Sequence, residues 1–253
     1  MATYKKRGYK NANTANNSNS AEADSATAEV FEKLDSTASK TEEWVSKYQN
    51  FILAGIGAIA ISVLSYLAYQ NFVSEPKELE AVSELSQAQY YFDLAVNGQN
   101  SDSLFLRALN GGEGRYGFID IIKNYSGTPA AKLATYSAGM AYLNLKDYKN
   151  AIDYLDDFNS DDILLSALSK GAIGDAFAQI NQQEEAYEYY VKAFESSDNL
   201  FSTPKYLYKA AMLGASLRKK SSALSYFKRI KSDYPDSAEA KLVEVQIGRL
   251  ENQ

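Results

Sequence analysis

Residues 130–158, AAKLATYSAGMAYLNLKDYKNAIDYLDDF, contain the pattern that decides the fold of most of this chain. Gly139 is followed by Tyr142 three residues later, and Ala151 is followed by Leu155 four residues later. Two helices that pack closely need small residues where they touch, and bulky residues fill the spaces between helix pairs. The stretch therefore predicts a pair of packed helices.

The same pattern continues towards both ends of the chain. The small residues predicted to begin the second helix of each pair lie 37, 35 and 37 residues apart: Gly114, Ala151, Ala186 and Ala223. Bulky residues of the first unit match those of the last, with Phe118, Ile121 and Tyr125 corresponding to Phe227, Ile230 and Tyr234. This arrangement resembles the tetratricopeptide repeat, which implies an all-α solenoid of about three to four helix pairs.

Ahead of the repeats, proline and glycine positions predict two further helices. Pro76 suits the first turn of a helix that extends to about Val96, and a shorter helix is expected over 103–109, before Gly111-Gly112. In the longer helix the large apolar residues are expected to face inward, namely Leu79, Val82, Leu85 and Phe92.

Residues 51–73, FILAGIGAIAISVLSYLAYQNFV, contain no charged residue, and the uncharged interval extends from Lys47 to Glu75. A helix needs about 20 apolar residues to cross the ~30 Å hydrocarbon layer of a bilayer. We therefore expect a single transmembrane helix. Ala54, Ala58 and Ser62 recur every fourth residue within it, a spacing that allows a second membrane helix to approach closely.

Residues 1–50 are expected to form a cytoplasmic tail. Residues 1–25 are basic at first and then rich in Asn, Ser and Ala, which predicts disorder, whereas 27–50 have the apolar spacing of amphipathic helix. The tail carries seven Lys and Arg, and only Lys77 follows the span closely, so the positive-inside rule places residues 74–253 outside the cytoplasm. A charged region of 50 residues is too long for a cleaved signal peptide, and an uncleaved anchor is expected.

Composition excludes several classes of function. The chain has no cysteine and no histidine, so it lacks thiolate nucleophiles, the commonest general base and the commonest zinc ligands. Residues 74–253 carry 19 basic and 25 acidic residues without a basic patch, which argues against nucleic acid. The acidic segment 156–162 lacks the glycine of a calcium loop, and 111–114 lack the Gly-Lys-Ser/Thr of a phosphate loop. We expect neither an enzyme nor a cofactor or metal site.

A cytoplasmic tail, one anchor and a tetratricopeptide domain outside the cytoplasm together resemble the YfgM family. The resemblance covers about residues 27–253 and includes TASKTEEWVSKYQNF, residues 37–51, which leads into the membrane segment. It implies an inner-membrane protein of Gram-negative bacteria, with a periplasmic domain, that accompanies the SecYEG translocon. Its implied partners are SecYEG, the periplasmic chaperone PpiD and emerging unfolded clients, and its implied role is a non-enzymatic scaffold or holdase.

In such a solenoid the first helix of each pair lines the concave groove. The residues expected to contact a partner there are Tyr136, Met140, Tyr208 and Met212. Leu133 and Leu143 lie on the same helix, and for them packing against the next repeat is an equal alternative. Methionine adapts to varied apolar segments and tyrosine tolerates a partly hydrated site, which suits a groove for diverse ligands.

Three other functions remain compatible with the sequence. The repeats could serve envelope or cell-division machinery instead of the translocon, or belong to a eukaryotic organelle receptor with cytosolic repeats. An enzyme is the third alternative, and the absence of histidine and cysteine disfavours it.

Overall fold

The computed structural model describes residues 23–98 and 101–252; within the first helix, side chains are described at 29, 30, 33 and 34 and from 44 onward. The chain divides into an amino-terminal unit that ends at Leu67 and a carboxyl-terminal unit that begins at Ala68. Most of the predicted disordered segment, residues 1–22, lies outside the described residues. From Ala23 onward the backbone is helical.

Helix α1, Ala23–Tyr69, contains the apolar segment. The helical stretch Trp44–Asn97 includes a window of mean hydropathy 2.2, none of which is buried by protein. Large side chains such as Phe51, Ile59 and Ile61 are more than two-thirds exposed. Length and composition are therefore consistent with a single-pass membrane anchor. A π-helical turn, Gln70–Ser74, follows α1.

The first helices of the second unit are α2 (Glu75–Asn97) and α3 (Ser101–Asn110). The predicted inward face of α2 is partly wrong, because Leu79 and Val82 are 66% and 45% exposed. The buried face instead consists of Ala81, Leu85, Ala88, Tyr91 and Ala95. Three of these five residues are alanines, which permit α2 to pack closely against its neighbours.

Residues 111–117 form a glycine-rich turn between α3 and the short helix α4, Phe118–Asn124. Gly112 and Arg115 form an isolated β-bridge across it, and Gly114 has a φ of +77°. The prediction that Gly114 begins a second helix is therefore wrong. A residue in the left-handed region belongs to a turn, and the helix begins four residues later.

The remaining helices form consecutive pairs and a closing helix: α5 (Pro129–Asn144) with α6 (Tyr148–Asp157), α7 (Ile163–Gln179) with α8 (Gln183–Glu195), α9 (Thr203–Ser216) with α10 (Lys220–Asp233), and α11 (Ala240–Glu251). Each of these helices packs mainly against the helices before and after it in sequence. This order of contacts is typical of an α-solenoid. The predicted fold class is confirmed.

Glycines permit the two helices of a pair to approach closely. A Cβ atom added at Gly139 would lie 2.5 Å from Leu155 Cγ, and one at Gly174 would lie 2.7 Å from the Tyr190 ring. The turn inside each pair also repeats: Lys146, Asn181 and Arg218, which are 35 and 37 residues apart, have φ values of 61–63°. The predicted repeat spacing is therefore visible in the backbone.

Corresponding positions in the first and last units are buried in two separate cores. Phe118 and Ile121 have no exposed surface in the first core, and Phe227 and Ile230 have none in the second. The predicted match between these segments is confirmed. A smaller cluster around Leu155, Ala172 and Ile173 lies between them along the chain.

Polar contacts attach α2 to the segment before α5 and to the first turn of α5. The Glu84 carboxylate lies 3.2 Å from Arg115 and accepts a hydrogen bond of 3.1 Å from the Tyr116 amide. The Glu78 carboxylate accepts from the Ala130 amide in the first turn of α5, where the helix dipole favours a negative charge. Lys77 donates to the Ser126 carbonyl oxygen at 2.9 Å. These contacts join residues about 30 to 50 positions apart in sequence.

Candidate functional site

An apolar cavity of about 330 Å³ lies where α7, α8 and α9 meet. Tyr208, Met212 and Leu213 of α9 line it, together with Ala178 of α7 and Tyr190 of α8. Met212 is 40% exposed, so its flexible thioether is available at the surface. The cavity is within the size range of sites that bind small molecules or side chains of a partner.

Close packing between α7 and α9 depends on Gly171. A Cβ atom at this position would lie 2.0 Å from the Tyr206 ring, so the ring occupies space that any other residue would fill. The Tyr206 and Tyr190 rings stack with centroids 6.5 Å apart. Gly171 therefore positions the tyrosines beside the cavity.

Lys209 brings a polar group to the lining of the cavity. The Lys209 ammonium lies 2.8 Å from Asp175 Oδ2, and the Tyr190 hydroxyl donates a 2.7 Å hydrogen bond to Asp175 Oδ1. Lys209 also lies 5.4 Å from the Tyr190 ring centroid and 6.0 Å from that of Tyr206, in cation–π range. The two charges are thus paired, and apart from Ser216 the remaining lining is aromatic or aliphatic.

Two tyrosines beside the cavity, Tyr190 and Tyr206, have raised pKa values. Burial, followed by the nearby Asp175 carboxylate, raises the pKa of Tyr190 well above its ordinary value. The same two causes raise the pKa of Tyr206, to which Tyr136 also contributes. Both hydroxyls therefore stay protonated near neutral pH, and neither can act as a general base there.

The four predicted contact residues lie in two places. Tyr208 and Met212 line the cavity, although Tyr208 also packs edge-to-face on Phe227. Tyr136 and Met140 are half-buried against the cluster around Leu155, and Tyr136 lies 5.3 Å from the Phe158 ring. Leu133 and Leu143 are also partly buried against core clusters. Tyr208 and Met212 are thus the predicted residues that the structure brings together in one cavity.

Sequence reasoning missed Lys209, Asp175 and the role of Tyr190. Lys209 and Asp175 are 34 residues apart and meet only because successive first helices lie side by side. That separation is close to one repeat period. The signal in the sequence for this ion pair was therefore two opposite charges, one period apart, on the first helices of successive pairs.

Other predicted positions do not line this cavity. Ala54, Ala58 and Ser62 are exposed on α1, and the Ser62 hydroxyl donates to the Ala58 carbonyl oxygen at 2.9 Å. In the acidic segment, Asp162 caps α7 by accepting from the amides of Leu164 and Leu165. Among residues 23–98 and 101–252, no group of three or more acidic side chains is arranged to hold a metal ion.

Comparison with known protein families identifies the same region. The sequence model of the tetratricopeptide repeat matches residues 134–157 and 169–199, which include parts of α5 to α8. No curated protein matches the chain. The chain therefore contains tetratricopeptide-type helical repeats, an architecture typical of protein–protein interaction scaffolds.

Proposed function

We propose that this protein is a membrane-anchored accessory of the SecYEG translocon, acting as a non-enzymatic scaffold or holdase in the periplasm. Its repeats would bind a PpiD-like chaperone or emerging unfolded clients. The observation that carries the proposal is the apolar cavity with Met212 at its surface, in a chain that also has a helix suited to crossing a membrane. An apolar, adaptable lining suits unfolded segments, whose exposed side chains vary from client to client.

The test is co-purification from detergent-solubilised membranes. Met212→Lys places a charge in the apolar cavity and should reduce recovery of SecY and of the PpiD-like chaperone at least several-fold. Val245→Lys is the matched control, because Val245 is 74% exposed on α11 and does not line the cavity. Recovery of division proteins instead of SecY would support the alternative function in envelope or cell-division machinery.

The proposal includes an orientation, which cysteine labelling can measure because the natural chain has no cysteine. Val30 is 56% exposed in the amino-terminal unit, and Ser221 is exposed at the start of α10. With the outer membrane permeabilised, an impermeant thiol reagent should label Ser221→Cys and leave Val30→Cys unlabelled until the inner membrane is broken. The reverse pattern would contradict the translocon role.

The proposal also assigns a packing role to Ala54, Ala58 and Ser62 within the membrane. Ala58→Leu adds bulk where two helix backbones would meet, so recovery of the translocon should fall while membrane insertion is retained. Ile59→Leu, on a neighbouring exposed position, conserves volume and serves as the control. Equal recovery for both variants would mean that the segment only anchors the protein.

A further inference from the structure

The part of α1 that precedes the apolar span has an uncovered apolar face. Val30, Leu34 and Trp44 are 56%, 60% and 57% exposed, and Val45 and Tyr48 are also exposed. The Trp44 and Tyr48 rings lie side by side on this face, with their centroids 5.3 Å apart. Large apolar side chains along one face of an uncovered helix are typical of a surface that binds another protein or a membrane.

This face repeats every seven residues. Its members are separated alternately by four and three positions: Val30, Leu34, Thr37, Thr41, Trp44, Tyr48 and Phe51. Such a repeat keeps one side of a helix against a partner helix, and its seven positions are labelled a to g, with a and d in the contact. Leu34, Thr41 and Tyr48 occupy a, and the other four occupy d. We refer to these seven residues as the heptad seam, and five of them are aliphatic or aromatic.

The charged residues of this segment lie beside the heptad seam or away from it. Each lysine between residues 29 and 50 occupies position g, next to a: Lys33, Lys40 and Lys47. The carboxylates occupy the outward positions b, c and f: Glu29, Glu32, Asp35, Glu42 and Glu43. Lys47 Nζ lies 5.7 Å from the centroid of the Tyr48 ring, at the edge of the seam. An uncharged seam with charged residues at its edges is typical of a coiled coil.

The same helix argues against a location on the membrane surface. It is continuous over 47 residues, from Ala23 to Tyr69, and contains no proline. At 1.5 Å per residue it is about 70 Å long, more than twice the ~30 Å hydrocarbon layer. If the apolar segment crosses the bilayer, the preceding part of an unbroken helix extends away from it. Residues 27–50 also carry five acidic and three basic residues, whereas helices that lie on anionic lipid are rich in Lys and Arg.

A second copy of this chain fits the heptad seam. Two copies cross the membrane in the same direction and at the same depth, so their helices are parallel and each residue lies opposite its counterpart. In a parallel pair, position g faces position e of the other helix. The three lysines therefore meet apolar residues and not like charges: Ala38, Val45 and Ile52. The heptad spacing also continues into the span at Gly55 and Ala58, where small side chains allow two helices to remain close.

We infer that residues 30–51 form a parallel two-stranded coiled coil with the same residues of a second copy of this chain. The contact is symmetric, so a dimer uses both seams and closes. Anchoring in one membrane raises the effective concentration of the two copies. The inference rests on the membrane anchor of the proposed function and not on the translocon. Variants ahead of the span leave Ala54, Ala58 and Ser62 unchanged, so failure of this dimer and failure of the proposed translocon contact are distinguishable.

The first test is self-association of the full chain in detergent, measured by sedimentation velocity over a range of concentrations. Leu34→Glu/Tyr48→Glu places carboxylates in the seam opposite those of the other copy, so it should weaken association at least about tenfold. Ser39→Glu/Ser46→Glu is the matched control, because it adds the same charge at the outward position f. A wild-type chain that is monomeric throughout, as expected for a face that binds lipid or a different protein, would overturn the inference. Equal association of the two variants would also overturn it.

The second test strengthens the seam. Thr37 and Thr41 are its polar residues, and Thr37→Leu/Thr41→Ile replaces them with the side chains favoured at d and a of two-stranded coiled coils. Association should become at least about tenfold tighter, because more apolar surface is buried between the helices. Ser39→Leu/Ser46→Ile, at the outward position f, is the control and should leave the affinity unchanged. A gain that is equal in both variants, or absent from the seam variant, would contradict a coiled coil in this register.

The third test uses the cysteine-free background. In a parallel pair in register, Leu34→Cys and Trp44→Cys each lie opposite their own counterparts, within the distance that a disulfide spans. Each variant alone should therefore yield a disulfide-linked homodimer on mild oxidation of membranes. Ser46→Cys and Gln49→Cys, at outward positions f and b, should be linked at least about tenfold less. Equal linking at seam and outward positions would show random collision and would rule out the proposed contact.

Discussion

The front of the carboxyl-terminal unit, α2 to α4, differs from the helix pairs α5 to α10 in how its helices are attached. In the pairs, glycine meets a large side chain, as at Gly139 against Leu155. In the front, carboxylates of α2 reach across to amides and to Arg115, and α4 has seven residues where α10 has 14. The glycine packing of the pairs recurs at the repeat spacing, whereas the polar contacts of the front do not recur in the sequence.

A corresponding buried phenylalanine nevertheless occurs in each region, Phe118 in the front and Phe227 in the pairs. Truncating either side chain is expected to have the largest effect on stability. Phe118→Ala and Phe227→Ala each empty a site with no exposed surface, so each should lower the free energy of unfolding by about 3–5 kcal/mol. Urea unfolding followed by circular dichroism measures the loss. A much smaller loss at Phe118 would mean that the front contributes little to the cooperative unit.

Glycine packing inside a pair gives the next largest effect. Gly139→Ala places a methyl group 2.5 Å from Leu155 Cγ, and Leu155 is buried, so a loss of about 1–3 kcal/mol in unfolding free energy is expected. Gly248→Ala is the control, because a Cβ there meets no atom within 4 Å. In helix α11 that change should be stabilising, since alanine favours helix over glycine. Equal effects at both positions would rule out close packing as the cause.

The tyrosines of the pairs predict a loss of stability at alkaline pH. Because folding raises the pKa of Tyr190, the unfolded chain releases this proton more readily, and stability falls as the pH rises above about 10. Tyr190→Phe should cost about 1 kcal/mol at neutral pH through the lost hydrogen bond to Asp175. It should also make the fall in melting temperature between pH 9 and about 11 less steep. Parallel curves for the variant and the wild type would contradict this assignment.

The ion pair of the front should give the smallest effect. Glu84→Gln retains the size of the side chain and removes its charge, so the pair with Arg115, which is 44% exposed, is lost. A loss of about 0.5 kcal/mol or slightly more is expected at low salt and should shrink at high salt, where exposed charges are screened. Glu244→Gln, which breaks a more exposed pair with Lys231, should leave the melting temperature unchanged. A salt-independent loss at Glu84 would indicate that the Tyr116 hydrogen bond dominates.

These differences explain how far the sequence predicts the structure. The pairs follow from spacing, because small and bulky residues recur at fixed intervals from Ala151 to Phe227. The front cannot be predicted from spacing in this way, because α2 buries alanines while Leu79 and Val82 remain exposed. A search for large apolar residues therefore identifies the buried face of α2 only in part, with Leu85 but not Leu79 or Val82.

The candidate site shows the same limit. Tyr208 and Met212 could be predicted because they lie on the first helix of a pair, one turn apart. The ion pair of Lys209 with Asp175, and the fit of Tyr206 over Gly171, depend on how one pair lies against the next. Lys209 and Asp175 lie about one repeat period apart, but spacing alone does not show which residues one period apart make a contact.

The hydrogen bond from the Ala130 amide to Glu78 has a consequence for the order of folding during synthesis. A chain made from its amino terminus exposes α2 about 50 residues before the first turn of α5 is available. Until then the alanine face of α2 has only α3 and α4 to cover it, although α5 also packs there. Each later helix pair, by contrast, finds its neighbour already made. The front is therefore completed only after α5 has emerged, and subsequent pairs can add to it one at a time.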